Sequence, residues 1–454
     1  HVDVSPVALK GKLPGGRCLM VIGTEGEGMR GWTDEQLAMT ALGTLLRGTI
    51  PVSGGGVIPA GTRVLTDRQY EAARAALAGP LTVIQGPPGT GKSEVILGML
   101  ASIVQAGGTA IVVSKNHRAL DEIEERVGKI VGEAPLLTRA RNSEGERDTN
   151  LLEQWRKLAE GDIRPTAPDA DAQLSDAQDK ALGLLTEKLR QSHCSTLHIE
   201  LSALAEQVER LGQAMPDAKA APKRRDWTAW LAALLGRLLA RTSTPEAASQ
   251  QVDPRERIAA IRRELETLPA LRTGSAYDEL ADAAAGAAGV ALLACGSFTS
   301  PSDEQRSVLD DGLRAFRFSD RFKAAELTDS EARMVLRHRP IWAVSALSAA
   351  SRIPLLPALF DYVIFDEASQ CDIASSLPLF GRAARAVVVG DPEQLGFIPQ
   401  LSLRQEHALM DAADLGRKDR HRVAQSTNSL FHFAVSRPRS RLDFLADQFR
   451  SNRA

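Results

Sequence analysis

The feature that most constrains this chain is the octapeptide Gly86-Pro87-Pro88-Gly89-Thr90-Gly91-Lys92-Ser93, which joins an apolar stretch to a helical one. It matches the pattern G-x-x-x-x-G-K-[ST] in the strand-to-helix context that the pattern requires. Its glycines let backbone N–H groups surround phosphates at a helix N-terminus. Lys92 is expected to reach the β- and γ-phosphates and the Ser93 hydroxyl to bind Mg²⁺. The octapeptide predicts a nucleoside-triphosphate site.

The surrounding pattern predicts a parallel α/β domain. Helices are expected at residues 68–77 and 93–105. Short apolar strands are expected at residues 81–85, 109–114, 342–345, 362–365 and 386–389. Strands that alternate with helices at this spacing form parallel sheets.

A long helical segment separates the two groups of strands. Apolar residues step by three and four along two stretches, Leu197, Leu201, Leu204, Val208, Leu211 and Met215, then Ile258, Ile261, Leu265 and Leu268. This spacing fits an antiparallel coiled-coil stalk over about residues 180–270, and it fits a plain helical bundle equally well. The basic-flanked amphipathic helix at 223–239 is expected to pack at the stalk tip or on a partner protein rather than on a membrane.

Four segments follow from these patterns. Residues 1–62 have no readable role, and residues 63–135 begin an α/β domain of the RecA-like P-loop type. Residues 136–339 form the helical insertion, and residues 340–454 complete the α/β domain.

Composition sets only broad limits. The formal net charge of −2 gives no overall basic surface, so a nucleic-acid site has to be a local groove. The four cysteines show no CxxC spacing, which favours a reducing, cytoplasmic compartment. No apolar run is long enough to cross a bilayer. The abundance of Ala and Arg suggests a bacterial source and tilts the expected polymer towards DNA.

Two further sites complete the chemistry that the phosphate-binding loop needs. Asp366 and Glu367 directly follow an apolar strand, where Asp366 would hold Mg²⁺ and Glu367 would orient the attacking water. Gln394 follows the next strand and would sense the γ-phosphate.

Taken together, these motifs resemble superfamily 1 helicases of the 5′-to-3′ branch, the group of the RNA-surveillance and flap-processing helicases. The resemblance covers residues 65–127 and 340–454. Its motifs are Q (LTDRQ, 65–69), Ia (SKNHRALD, 114–121), Ic (WAVSALS, 342–348), II (DEASQ, 366–370), III (GDPEQL, 390–395) and IV (LADQFR, 445–450).

The resemblance implies roles for individual residues. Gln69 would read adenine, which makes ATP the expected nucleotide, and Arg450 would reach its γ-phosphate. Ser114, Asn116, His117 and Ser345 would touch the nucleic-acid backbone, although His117 stands where asparagine is usual.

The chain departs from the family pattern at two more places. Residues 396–398 (GFI) intervene before the proline of motif III, and residues 137–141 (LTRAR) imitate motif VI in the wrong place. The true motifs V and VI, with a second RecA-like domain and its arginine finger, are expected beyond this chain. The segment alone is therefore expected to bind ATP and hydrolyse it weakly.

The expected function is an ATP-hydrolysing motor that moves on single-stranded nucleic acid, with DNA favoured over RNA. One alternative is an AAA+ remodelling ATPase, but that class expects a polar sensor where this chain has Gly390-Asp391-Pro392. Another is a nucleotide-gated scaffold whose helical insertion recruits a protein partner.

Overall fold

The computed structural model describes residues 25, 28–50, 57–131, 136–140, 149–160, 169–213, 254–295, 302–318, 327–394, 396–399, 401–412, 416–437 and 439–447. The chain divides into two compact units. Unit 1 comprises His1–Gly183 and Asp278–Ala454, and unit 2 comprises Leu184–Tyr277.

Unit 1 is built on a parallel sheet, which in the described residues has seven strands in the order β3-β4-β2-β5-β6-β1-β7. The strands are β1 (Leu81–Gln85), β2 (Ala110–Ser114), β3 (Leu137–Ala140), β4 (Ile341–Ser345), β5 (Phe360–Phe365), β6 (Ala383–Gly390) and β7 (Ser440–Phe444). All neighbouring pairs run parallel. The predicted α/β class with a RecA-like sheet is therefore confirmed.

The described helices are α1 (Asp34–Ala38), α2 (Ala41–Arg47), α3 (Asp67–Ala78), α4 (Lys92–Gln105), α5 (His117–Val131), α6 (Thr149–Glu160), α7 (Ala170–Gln213), α8 (Pro254–Thr267), α9 (Ser275–Cys295), α10 (Asp303–Phe318), α11 (Asp329–His338), α12 (Ala349–Arg352), α13 (Ile373–Gly381), α14 (Leu403–Ala412), α15 (Arg417–Val423) and α16 (Leu430–Val435). Among them, none is both long enough and apolar enough to cross a membrane.

The sheet is covered on both faces, because successive strand residues point to opposite sides. On β2, Ile111 and Val113 pack into one apolar cluster with residues of α2, α6, α11 and α13. Ala110 and Val112 pack into a second cluster with residues of α3, α4 and α5. A strand buried on both faces reads as a continuous apolar run, which is why these strands were predictable.

The predicted start of the helical insertion at residue 136 needs correction. Residues 137–140 form β3, which pairs with β4 at the edge of the sheet. Trp155 on α6 and Leu309 on α10 are fully buried in the same cluster as Trp342 of β4. These parts of the presumed insertion therefore belong to the core of unit 1.

In the described residues of unit 2, the part of α7 from residue 184 onwards contacts α8 in an antiparallel arrangement. Arg257 Nε lies 2.7 Å from Glu200 Oε1, and His193 Nε2 lies 2.9 Å from Glu264 Oε1. From His193 to Glu200 the first helix advances seven residues, while its partners on the second helix go back seven residues, from Glu264 to Arg257. The two helices therefore run antiparallel. The seam residues Leu197 and Ile261 are buried. Met215 and the amphipathic stretch at 223–239 lie outside the described residues, so the complete coiled-coil stalk stays a prediction.

Candidate nucleotide-binding site

The phosphate-binding loop connects β1 to α4 with a backbone that only glycine adopts easily. Gly89 and Gly91 have φ angles of 83° and 77°, in the left-handed region that penalises a Cβ atom. A Cβ added at Gly86 would lie 2.8 Å from both Lys92 Cγ and Thr90 Oγ1. The loop is therefore too closely packed for larger residues at these points.

Lys92 and Glu367 face each other across the mouth of this loop. Lys92 Nζ donates to the Gly86 carbonyl at 2.9 Å and lies 3.7 Å from Glu367 Oε1. The Lys92 ammonium thus lies between the loop backbone and the acidic site. Ser93 follows in the first turn of α4 and lines the cavity that this loop borders.

Asp366 and Glu367 are placed by the end of β5. The Asp366 N–H donates to the Val113 carbonyl at 2.8 Å, and Asp366 Oδ1 accepts the Glu367 N–H at 2.9 Å. Burial, together with the neighbouring charge of Glu367, raises the pKa of Asp366 to about 6. A carboxyl with such a high pKa is typical of a functional site.

Two features of Glu367, its backbone conformation and an unsatisfied side-chain oxygen, are typical of a functional residue. Its φ of 51° is in the left-handed region, which costs a non-glycine residue about 1–3 kcal/mol. Its Oε2 atom is buried and has no hydrogen-bond partner among the described residues. A carboxylate with one oxygen near Lys92 and the other without a partner among the described residues is suited to orient a water molecule.

Gln69 is brought to the loop from α3. Its Nε2 donates to the Thr90 carbonyl at 3.0 Å, and its Oε1 accepts the Thr66 N–H at 3.1 Å in a capping box. Both ends of the amide therefore make a bond within the chain, and Gln69 is 4% exposed. One N–H and one oxygen lone pair of the amide remain for the adenine contact that the resemblance implies, and Gln69 lines the cavity that the phosphate-binding loop borders.

Gln69, Lys92, Ser93 and Glu367 line one cavity of about 580 Å³, whereas Asp366 is buried and is not part of the lining. Gln394 also lines it, and its Nε2 donates to Asp391 Oδ2 at 3.2 Å. Of the predicted nucleotide-site residues, Arg450 lies outside the described residues. The cavity is lined by Arg63, Val64, Leu65, Thr66, Gln69, Pro87, Pro88, Gly89, Gly91, Lys92, Ser93, Glu94, Glu122, Arg126, Glu367 and Gln394.

Four charged residues of this cavity were missed by sequence reasoning, namely Arg63, Glu94, Glu122 and Arg126. Arg126 Nη1 lies 2.7 Å from Glu94 Oε1, and its Nη2 lies 2.7 Å from Glu122 Oε1. Glu122 and Arg126 show the i,i+4 spacing of a helical ion pair, a signal present in the sequence. Glu94 is 32 positions from Arg126, and no local pattern joins them.

The predicted nucleic-acid residues cluster where β2 and β4 end. Ser114 and Ser345 are register partners, but both are buried, and Ser114 Oγ already accepts the Asn116 N–H at 3.2 Å. Asn116 and His117 are exposed, and Asn116 Oδ1 accepts the Arg118 N–H at 3.0 Å at the start of α5. Asn116 and His117 are thus the exposed members of this group, and a nucleic-acid role for any of the four residues stays a prediction.

The tripeptide that interrupts motif III also lies at this edge. The Phe397 N–H donates to the Ser369 carbonyl at 2.9 Å, and Lys115 Nζ lies 4.5 Å from the centroid of the Phe397 ring. The insertion thus connects motifs II and Ia by a backbone bond and a cation–π contact.

A parallel sheet with a glycine-rich loop after β1 and an acidic pair after β5 defines a RecA-like P-loop domain. Comparison with known proteins agrees with this class. A profile of the AAA domain family matches residues 69–399. Because the match covers most of the chain, the chain belongs to this family.

The chain is also similar to individual proteins, among them an ATP-dependent helicase and a regulator of nonsense transcripts. The chain is 31% identical over 115 residues to an uncharacterized ATP-dependent helicase of Mycoplasma genitalium, a stretch that covers 25% of this chain and 10% of that protein. It is 38% identical over 71 residues to regulator of nonsense transcripts 1 of Caenorhabditis elegans, covering 15% and 7% of the two chains. The domain is of the superfamily 1 helicase type. The matched stretches are a small part of the length of these relatives.

Proposed function

We propose that this chain is the ATP-binding half of a motor that hydrolyses ATP to move along single-stranded nucleic acid. The observation that carries the proposal is the position of the Glu367 carboxylate, whose Oε1 lies 3.7 Å from Lys92 Nζ at the phosphate-binding loop and whose Oε2 is buried with no hydrogen-bond partner among the described residues. That arrangement fits the attack of water on a bound triphosphate.

Each residue of the site has a separate role in this reaction. Lys92 supplies positive charge to the terminal phosphates, and the amide groups of the loop hold the remaining ones. Glu367 orients the attacking water, and Gln394 contacts the γ-phosphate through the second N–H of its amide. Ser93 and Asp366 are the oxygen ligands that fit Mg²⁺, which neutralises phosphate charge when bound.

We place the nucleic-acid strand at the exposed residues Asn116 and His117, which follow β2 at the same carboxyl edge of the parallel sheet as the phosphate-binding loop that follows β1. Contacts of this kind reach the sugar-phosphate backbone and position a strand without reading its sequence. Our preferred track is DNA. The name of the C. elegans relative refers to transcripts. The experiment therefore has to distinguish binding of RNA from binding of DNA.

Fluorescence anisotropy with oligo-dT and oligo-U tests the strand site. The double variant Asn116→Ala with His117→Ala is expected to weaken binding of the preferred polymer at least about tenfold, because these side chains lie at the proposed contact. Lys129→Gln, near the far end of the same helix, is the matched control and is expected to bind like the parent protein. Equal binding by the double variant and the parent contradicts this placement.

The same titration addresses the scaffold alternative. A motor binds at least one of the two polymers, with an affinity that falls as salt rises. Absence of binding to both polymers, with nucleotide binding intact, favours the nucleotide-gated scaffold.

A further inference from the structure

Three charged side chains connect the nucleotide cavity to α5, the helix that begins at the proposed strand contact. Arg126 of α5 lies 2.7 Å from Glu94 of α4 and 2.7 Å from Glu122, one turn earlier on its own helix. All three line the nucleotide cavity. We call this set the Arg126 triad.

Each carboxylate of the triad lines the nucleotide cavity next to a part of the proposed site. Glu94 directly follows Ser93, and its N–H donates to the Gly91 carbonyl at 3.0 Å, so its backbone belongs to the phosphate-binding turn. Glu122 lines the nucleotide cavity together with Lys92 and Glu367. The triad therefore borders both the phosphate-binding loop and the acidic site.

The opposite side of α5 is held to the sheet near the proposed strand contact. Arg139 of β3 donates to Asp121 Oδ1 at 3.0 Å and to the His117 carbonyl at 3.3 Å. The Arg139 side chain is almost fully buried, at 1% exposure. The first turn of α5, which carries His117, is thus held by a fixed guanidinium.

Apolar packing alone does not provide this directional link. Leu120 and Ile123 of α5 pack in the same cluster as Val95 and Ile96 of α4, and such packing is non-directional. Arg126 adds charge-assisted hydrogen bonds of defined geometry between the two helices. Arg126 lies about 15 Å along the helix from the strand contact, at a rise of about 1.5 Å per residue.

We propose that Arg126 is a positioning residue that transmits the state of the nucleotide site to the strand contact, by tying Glu94 of the phosphate-binding helix to α5. The inference rests on the proposed function, since it needs a strand at Asn116 and His117. A change at the loop moves Glu94, Arg126 follows it, and α5 shifts against the Arg139 anchor. The coupling is reciprocal, so a bound strand changes nucleotide affinity by the same factor.

The test measures the coupling factor, defined as the ratio of oligonucleotide Kd without and with a saturating non-hydrolysable ATP analogue and Mg²⁺. Saturation is set for each variant by titration with a fluorescent nucleotide. The variants are Arg126→Gln and Glu94→Gln. The control is Lys129→Gln, which removes an exposed ion pair of 2.6 Å with Glu125 on the same helix.

We expect a coupling factor of at least about threefold in the parent protein and in the control, since coupling between sites is typically about 5- to 150-fold. Arg126→Gln and Glu94→Gln are each expected to bring it to within about twofold of unity. Arg126→Lys, which holds one carboxylate but not both, is expected to restore part of it.

Other outcomes overturn the proposal in distinguishable ways. An unchanged coupling factor in Arg126→Gln shows that the triad carries no signal, and loss in Arg126→Gln but not in Glu94→Gln shows that Arg126 does not act through Glu94. Failure of Arg126→Gln to bind nucleotide overturns the positioning role, because Arg126 is then required for nucleotide binding itself. Failure of the parent protein to bind either polymer removes the proposed function, and this inference with it.

Discussion

Replacement of Asp366 by Asn is expected to stabilise the protein in the absence of nucleotide and metal while it destroys the proposed metal site. Asp366 is buried at the end of β5, and burial raises its pKa from 3.8 to about 6. A carboxyl whose pKa is higher in the folded than in the unfolded chain opposes folding wherever it is ionised. Asn keeps the shape of the side chain and the acceptor for the Glu367 N–H, and it carries no charge.

The magnitude follows from the pKa. A rise from 3.8 to about 6 corresponds to roughly 3 kcal/mol of unfolding free energy. This penalty is absent below about pH 4, is about half developed near pH 5, and is complete above about pH 6. Asp366→Asn should therefore gain roughly 3 kcal/mol at pH 8 and roughly half of that at pH 5.

The assay is urea unfolding in EDTA at the two pH values, followed by tryptophan fluorescence, since Trp155 and Trp342 are fully buried in unit 1. Comparison of the two pH values cancels effects of the amide itself. Asp361→Asn is the control, because Asp361 is exposed and accepts hydrogen bonds from Thr109, so its removal should not stabilise at pH 8. An equal effect of Asp366→Asn at both pH values would show that the ionised Asp366 carboxylate does not destabilise the fold.

Three further predictions concern the site and the helical unit. Lys92→Ala should abolish ATP binding, because it removes the ammonium at the phosphates; an unchanged Kd in a calorimetric titration contradicts the assignment. Glu367→Gln should bind ATP and lose hydrolysis by at least about 10²-fold, because an amide is a poor general base; a steady-state rate equal to that of the parent protein refutes this role. Deletion of Leu184–Tyr277 with a short linker should leave nucleotide binding intact, because a Cβ at Gly183 would lie 3.9 Å from Leu280 and the cut ends are close; loss of binding in a folded deletion protein shows that unit 2 supports the site.

The central strands and the phosphate-binding loop were predictable because their signals are local. The strand at Leu81–Gln85 has the bounds that the sequence predicts, and the acidic pair follows β5 as expected. Buried parallel strands are continuous apolar runs, and a glycine-rich loop needs glycines at fixed spacing. Such features are visible within a window of about ten residues.

The parts that sequence missed depend on distant partners. The strand Leu137–Ala140 is short and holds a charged residue, and it becomes a strand because it pairs with Ile341–Ser345, two hundred positions later in the chain. Its Arg139 resembles a catalytic motif in sequence, whereas the structure buries it against α5. Arg382 likewise pairs with Glu25 inside the protein. No sequence window contains both members of such pairs.

The most direct test of the account is steady-state ATP hydrolysis by the full-length protein with and without single-stranded DNA or RNA, measured beside Glu367→Gln. We predict that one polymer raises the hydrolysis rate several-fold in the parent protein and that the variant loses both basal and stimulated hydrolysis. A rate that neither polymer changes would contradict a nucleic-acid motor, and a stimulated rate that survives in Glu367→Gln would contradict the site proposed for its chemistry.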